Sequence, residues 1–540
     1  MNLNMKFPFA FWATRFLPVA LAVLFCNRLS LAAERPNVVF AFADDWGRYA
    51  SVYSQLTPGG PSDLVSTPNF DRVAREGALF TQAYINAPSC TPCRSSLLSG
   101  QYFWRTGMGA ILQGATWDDK IPSYPLILET AGYKIGHTYK VWSPGSPADQ
   151  PHGGQRTSYN RAGRKFNAFS QNVTKADNKD EAKKELYEEV RQNFRDFLSE
   201  VSNDQPFCYW LGPTNCHRKW IKGSGKDLWG LDPDKLQGKL PKFLPDTPEV
   251  REDFCDYLGE VQAFDHAVGV LIEELERIGA LDNTILVVSG DHGVPGMPRG
   301  KCNLYDLGTR VSLAIRWPKS AAKGVVIDDF VGLPDLAPTF VDAAGLTPPN
   351  VMTGRSLVPL LMAGKSGIVD AARDHVVIGR ERHVAGARKD YLPYPQRAIR
   401  TNQYLYIRNF KPERWPMGEA PGMGKNEGEW PSFEDLQENT FSAFGDLDAS
   451  PTKAYMLTHR DSEQMRSLID LTFGLRPEEE LYDVLADPDH LHNLAGQPQL
   501  ADVQTALSAK LMHILADSGD PRVLGDGTAY DKPPFSGPVN

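Results

Sequence analysis

Residues 284–293 read TILVVSGDHG. The first seven are β-prone and nearly unbroken in apolar character, and an acid and an imidazole follow at once. A short run without polar alternation predicts a strand buried on both faces, as in parallel sheets. The same pattern recurs along the chain. NVVFAFA (37–43) ends at Asp44-Asp45, YKIGHTY (133–139) ends at Lys140, and PFCYWLG (206–212) runs into a polar loop with His217. Helical patterns lie between these strands. From about 180 to 200, Leu186, Val190, Phe194 and Phe197 share one face, and over 251–279 Leu258, Val261, Val268, Leu271, Leu275 and Ile278 repeat at helical spacing. This alternation predicts an α/β fold with helices on both faces of a sheet. In open α/β sheets ligands bind beyond the carboxyl ends of the strands. Four strand ends are therefore expected to deliver their polar residues to one crevice.

The chain has 540 residues, 41% of them hydrophobic, and a net charge of −9 with no long basic run. Such a balance argues against nucleic acid as a partner. Residues 1–33 stand apart: MNLNMK is positive, LPVALAVLFC is apolar, and small residues precede Glu34. That order predicts a secretory signal and an exported protein, periplasmic or secreted, or lysosomal-type in a eukaryote. No later stretch is long enough to span a bilayer, so no stable membrane insertion is expected after cleavage. Removing the signal leaves cysteines 90, 93, 208, 216, 255 and 302, too sparse for a disulfide scaffold. After about 370 the texture changes. RAIRTNQYLYIRNF and ELYDVLADPDHLHNLAG predict short strands and a helix, hence a catalytic domain over 34–372 and a smaller α+β subdomain over 373–540. The Gly/Pro/Trp-rich stretch 411–432 is expected to be a long loop, and the tail from about 518 to be weakly ordered.

Asp44-Asp45 and Asp291-His292 are two polar pairs at strand ends. Adjacent carboxylates repel unless a cation neutralises them, and an oxygen-rich cluster suits a hard divalent ion such as calcium or magnesium. Capping and turn roles are the plainer alternative. Residues 90–100, CTPCRSSLLSG, hold two cysteines at redox or zinc spacing. Yet no second CxxC exists, and neither reading accounts for Arg94.

CTPCR with the following SSLLSG resembles the sulfatase signature. FADDWG and SGDHG resemble that family's metal motifs, and DLAPTFVDAAGL and ELYDVLADP its later landmarks. Within the family, the stretch from FLPDTPEV to SGDHGVP and the run GKCNLY (300–305) are most similar to the heparan N-sulfatase branch. The resemblance implies an alkaline-phosphatase-like fold, with a large, mixed, mostly parallel sheet and a short antiparallel sheet in the C-terminal subdomain. It implies a maturation enzyme that oxidises Cys90 to formylglycine, and one calcium ion held by Asp44, Asp45, Cys90, Asp291 and His292. Catalytic roles are implied for Cys90, Arg94, Lys140, His217 and Lys301. The lysines fit as cations on sulfate oxygens, and His217 as a sulfate contact or proton donor to the leaving group. The implied substrate is a sulfated glycan, for which Trp142, Arg218, Arg382 and His383 are candidate rim contacts.

There are departures from the family pattern. Trp142 or Ser143 stands where a histidine is usual, and in TNCH Thr214 and Cys216 replace a histidine and a proline. His137 and His383 are candidates to compensate. Phosphate or phosphonate ester hydrolysis, glycan binding without turnover, and CxxC oxidoreduction remain alternatives.

Overall fold

The computed structural model describes residues 35–147, 151–318, 323–421 and 429–532. The predicted signal, 1–33, lies outside the described residues. In β1 (Asn37–Ala43), Val38, Phe40 and Phe42 enter one hydrophobic cluster while Val39, Ala41 and Ala43 enter another. Side chains alternate across a strand, so a run apolar at every position feeds two cores. Six further strands complete the sheet: β2 (Ala78–Tyr84), β3 (Lys134–Tyr139), β4 (Phe207–Gly212), β5 (Thr284–Gly290), β6 (Leu313–Arg316) and β7 (Val325–Gly332). Their order is β3-β4-β1-β5-β6-β2-β7. β1 pairs parallel with β4 and β5, β3 with β4, and β2 with β7. β6 runs antiparallel to both β2 and β5. The carboxyl ends of β1, β3, β4 and β5 therefore open on one edge of a mixed, mostly parallel sheet.

Helices cover both faces. α1 (Cys90–Ser99) is buried at every position and stops at Gly100, whose φ of 66° suits a left-handed cap. α2 (Lys179–Ser199) is capped by the Asn178 side chain on the Glu181 amide and buries the predicted stripe Leu186, Val190, Phe194 and Phe197. α3 (Pro248–Arg277) is buried around much of its circumference, including several acids. Those acids tie down loops whose amides would otherwise lack partners. Asp256 accepts from the Gly223 and Gly225 amides, Asp265 from those of Asn69 and Phe70, and Glu260 from Ser170 and Asn215.

The second sheet holds β8 (His375–Arg380), β9 (Gln396–Thr401), β10 (Tyr404–Asn409) and β11 (Glu479–Asp483), antiparallel in the order β11-β10-β9-β8. Between β10 and β11 lies α4 (Pro451–Thr458), and α5 (Ala501–Asp517) follows β11. One hydrophobic cluster contains Phe40 and Val287 of the large sheet, Ile399 and Tyr406 of the small one, and Leu511 and Leu515 of α5. The described residues from Arg35 onward accordingly form one compact unit. The expected loop 411–432 is irregular where described, and 422–428 lie outside the described residues. Over 518–532, the first part of the tail, side-chain pairs tie the chain to the small sheet. Arg522 pairs with Glu381 and Asp531, Arg397 joins Glu381 to Asp520, and Tyr530 is buried. Buried ions persist only when paired, so this segment is locked in place. Residues 533–540 lie outside the described set. No helix among the described residues is long and apolar enough to cross a membrane.

α2 and α3 are joined by Glu274, whose side chain is 1% exposed and receives Arg191, Arg195 and Arg277 at 2.7–2.9 Å. Burial pushes its carboxyl up, but the hydrogen bonds from the arginines prevail and hold it at about 2. Replacing Glu274 with Gln is expected to cost about 2 kcal/mol of stability at neutral pH. A carboxyl held below its ordinary 4.5 contributes fully above that pH and fades toward 2. Urea unfolding of wild type and E274Q should therefore converge as pH falls through that window. A difference that stays constant down to pH 3 would refute the assignment.

Candidate active site

Each strand end supplies what its sequence promised. Asp44 and Asp45 leave β1, Lys140 leaves β3, and Asp291 and His292 leave β5. Cys90 opens α1, six residues after the end of β2. His217 sits in the loop after β4, and Lys301 in the turn-rich segment beyond β5. The structure brings all of them, with Arg94, to one crevice.

Arg94 is fully buried at its centre. Its Nη2 lies 3.0 Å from Asp44 Oδ1 and its Nε 2.9 Å from Asp291 Oδ2. Its Nη1 donates to the Val141 carbonyl at 3.1 Å. Lys140 Nζ meets both oxygens of Asp44 at 2.7 and 2.8 Å. Burial alone would raise the Asp44 carboxyl, but Lys140 and Arg94 hold it well below the usual carboxylate range. Lys301 Nζ stands 3.2 Å from Asp45 Oδ2 and 3.2 Å from Asp448 Oδ2. The site is also strained. Asp45, Tyr139 beside Lys140, and Cys302 beside Lys301 have φ of 63°, 67° and 67°. The left-handed region costs a non-glycine residue roughly 1 kcal/mol or more, and such strain gathers at functional sites.

Two overlapping groups of donors could hold a cation. Atoms of Asp44, Asp291 and Cys90 lie within 4.8 Å of one another, and so do those of Asp45, His292 and Cys90. Asp45 Oδ1 is sealed from solvent without a hydrogen-bond partner, 3.2 Å from His292 Nε2. The same nitrogen is 3.4 Å from Cys90 Sγ. Three buried carboxylates and one orphaned oxygen fit a hard divalent ion. A third group, Asp45, His217 and Asp448, is already served by a cation, because the Lys301 ammonium bridges its two carboxylates.

Cys90 and Cys93 are buried thiols, not bridged to each other. Burial, and after it Asp44 for Cys90 and Asp291 for Cys93, push both thiols up. Dithiol redox chemistry needs the opposite, a thiol made acidic by its surroundings.

The mouth is a cavity of about 250 Å³ lined by Asp44, Lys140, Asn167, Gln171, Thr214, His217, Arg218 and Lys219. His217 Nδ1 lies 2.6 Å from the Arg218 carbonyl, so that nitrogen carries the proton and Nε2 is turned inward, 3.8 Å from Asp45 Oδ2. Gln171 donates to the Lys219 carbonyl and leaves its own oxygen unpartnered.

The expected rim contacts fare differently. Trp142 is 2% exposed, donates to Ser95 Oγ at 2.8 Å and packs edge-on against Trp117. Arg218 lines the mouth, but its guanidinium is committed to Asp253 at 2.8 and 2.9 Å and stacks over Trp220. Arg382 is buried and donates to the Gln113 carbonyl. Trp142 and Arg382 are therefore interior groups, because a flat ring or a guanidinium suits a crowded interior as well as a pocket wall, while Arg218 reaches the mouth already paired. His383 is also buried, with Nδ1 2.8 Å from Ser89 Oγ, and burial pushes its imidazole down to about 3. His137 pairs instead with Thr157 and the His152 ring, lining a different cavity.

Sequence reasoning missed Asp448. It lies in an irregular segment before α4, 147 residues beyond Lys301, and no local pattern marks it.

A sulfatase family model matches residues 36–346, and a model described as N-sulphoglucosamine sulphohydrolase, C-terminal, matches 300–419. The chain is 27% identical to human N-sulphoglucosamine sulphohydrolase, over 93% of this chain and 95% of that protein. It is 25% identical to an ulvan-active sulfatase of Formosa agariphila, over 92% and 78% of the two chains. A solved structure in complex with its substrate D-glucosamine-2-N,6-O-disulfate superposes with a TM-score of 0.61 at 19% identity, covering 90% of this chain and 99% of the other. With the strand-end acids, the buried arginine and this sheet order in place, the chain belongs to the sulfatase family and has its alkaline-phosphatase-like fold.

Proposed function

We propose that this protein is an exported sulfatase that hydrolyses sulfate esters or sulfamates of a sulfated glycan, using formylglycine formed from Cys90 by a maturation enzyme, and one calcium ion. The charge count carries the reading. Asp44, Asp45, Asp291 and Asp448 supply four negative charges, and Arg94, Lys140 and Lys301 supply three positive ones, a net of −1. A dication makes the site +1, which one monoanionic sulfate group neutralises. A phosphate monoester brings closer to two charges at neutral pH and would overshoot; a phosphonate monoester is monoanionic like a sulfate ester, and there the sulfatase family match favours sulfate.

Asp44, Asp45 and Asp291 would hold the calcium, with His292 and residue 90 beside them. When bound there, such an ion would supply fixed positive charge beside residue 90 and the sulfate oxygens. Formylglycine supplies a hydrated aldehyde as nucleophile at the place now marked by Cys90 Sγ. The chain's own residues do the rest. Arg94 fixes Asp44 and Asp291 against mutual repulsion. Lys140 and Lys301 flank the position of the sulfate, where charge builds on its oxygens, and are pre-oriented by Asp44 and Asp448. His217, its Nδ1–H held by the Arg218 carbonyl, would as imidazolium give its Nε2 proton to the leaving oxygen or nitrogen. Asn167, Gln171 and Thr214 give the mouth a polar lining suited to sugar hydroxyls. The C-terminal match to N-sulphoglucosamine sulphohydrolase and the names of the relatives support a sulfated amino sugar or polysaccharide.

Peptide mass spectrometry after co-expression with a maturation enzyme is expected to show aldehyde at residue 90 and intact thiol at 93. Cys90→Ala should abolish turnover of sulfated glucosamine, whereas Cys93→Ser should retain it. Faster turnover of a phosphate monoester than of the sulfate ester would overturn the reading. Asp448→Asn removes one of the two carboxylates that hold Lys301. It should lower kcat/KM roughly 10- to 100-fold, with the native circular dichroism spectrum retained at 25 °C. An unaltered kcat/KM would remove Asp448 from the site.

A further inference from the structure

Arg48 follows the Asp44-Asp45 turn, and among the described residues no carboxylate stands within ion-pair distance of it, Asp306 acting on it only from farther off. Its guanidinium lies 4.1 Å above the Tyr53 ring, and its Nε is sealed from solvent without a hydrogen-bond partner. Beside it, Arg310 donates through Nε and Nη2 to one carbonyl, that of Thr81. Among the described residues neither guanidinium has an ion-pair partner. The nearby carboxylate, Asp306, gives one oxygen each to Nε and Nη2 of Arg400 at 3.0 Å. Asp489, also in the lining, is drawn on by Lys242 and its backbone amide. Burial, and then repulsion from Arg310, push the Arg48 guanidinium down to about 10.

The third wall is His490. It is 1% exposed, its ring is held edge-on to Tyr482, and its Nε2 is buried without a partner. Arg48, Arg310 and His490 line one cavity of about 220 Å³. No residue of that cavity lines the active-site mouth. Water can hydrate these groups, but it cannot neutralise two adjacent cations. An oxyanion can, and the guanidinium fork is shaped for one.

We propose that this cavity is a second anion site, in which the Arg48 and Arg310 guanidiniums take a sulfate-sized tetrahedral oxyanion against a wall formed by His490. The oxyanion is either free inorganic sulfate or a further sulfate group of a glycan chain. Arg48 lies three residues after Asp45, and Arg310 nine after Lys301. An anion held between them ties together the two segments that bear those site residues.

Crystals of the matured, calcium-loaded protein soaked in sodium selenate test this directly, using anomalous scattering at the selenium edge. Two peaks are expected, one at the active site between Lys140 and Lys301 and one within hydrogen-bond distance of Arg48 and Arg310. Arg48→Met and Arg310→Met should each remove the second peak and keep the first. An active-site peak with nothing in the cavity overturns the proposal, and so does a cavity peak that survives both substitutions. The active-site peak is an internal control, so failure of the second site is distinguishable from failure of the catalytic reading. Soaks that add excess sulfated tetrasaccharide then assign the source. Loss of the cavity selenate identifies the glycan and persistence identifies the free anion, and either outcome supports the site.

Discussion

A single guanidinium, that of Arg94, ties the chemistry to the sheet. It meets the acid after β1 and the acid after β5, and it donates to carbonyls just past β3, while its own backbone belongs to α1. Burying an ion costs several kcal/mol, and the cost is recovered only with close pairing and satisfied donors. Arg94 meets both conditions. Without it, Asp44 and Asp291 would face each other as buried like charges. The sheet order follows the same demand. β1 and β5 are neighbours, and β3 reaches the centre across β4, where Trp210 donates to the Lys140 carbonyl at 3.1 Å.

The other half of the site is held from the C-terminal part of the chain. Arg380, at the end of β8, donates to the Cys302 carbonyl and pairs with Asp446; Arg388 pairs with the same acid. Cys302 packs in one small cluster with Phe444 and Leu447. Lys453, buried in α4, donates to the carbonyls of Thr440, Phe444 and Leu447. These contacts brace the segment that ends in Asp448 against the one that carries Lys301. The small sheet is thus more than an appendage, because Lys301 sits in the crevice with one of its two carboxylate partners supplied from beyond β10.

Much of this was legible in the sequence for a definite reason. A strand buried on both faces must be apolar throughout, so the first polar residues after it stand out, and parallel pairing places several such residues on one edge. Asp44, Asp45, Lys140, Asp291 and His292 were found in that way, and the sequence around Cys90 located the remaining corner. Where physics leaves no periodic trace, sequence reading failed. Asp448 follows no strand, and its environment is assembled from side chains far apart in the chain. Trp142 and Arg382 have the chemistry of sugar contacts, but the same chemistry fills an interior, and burial cannot be read from residue type. The segment 518–532 is polar and glycine-rich, yet Arg522 and Asp520 are fixed by Glu381 and Arg397, partners more than a hundred residues away.

That division has a consequence for specificity. The residues set by strand ends make a charge pattern able to handle a sulfate group, and any chain with those strands would share it. Other polar side chains of the mouth come from elsewhere: Asn167 and Gln171 before α2, and Lys219 after β4. No strand register constrains those segments. The sheet edge therefore gathers the acids, and irregular segments over it line the mouth. Similarity in the first does not carry over to the second.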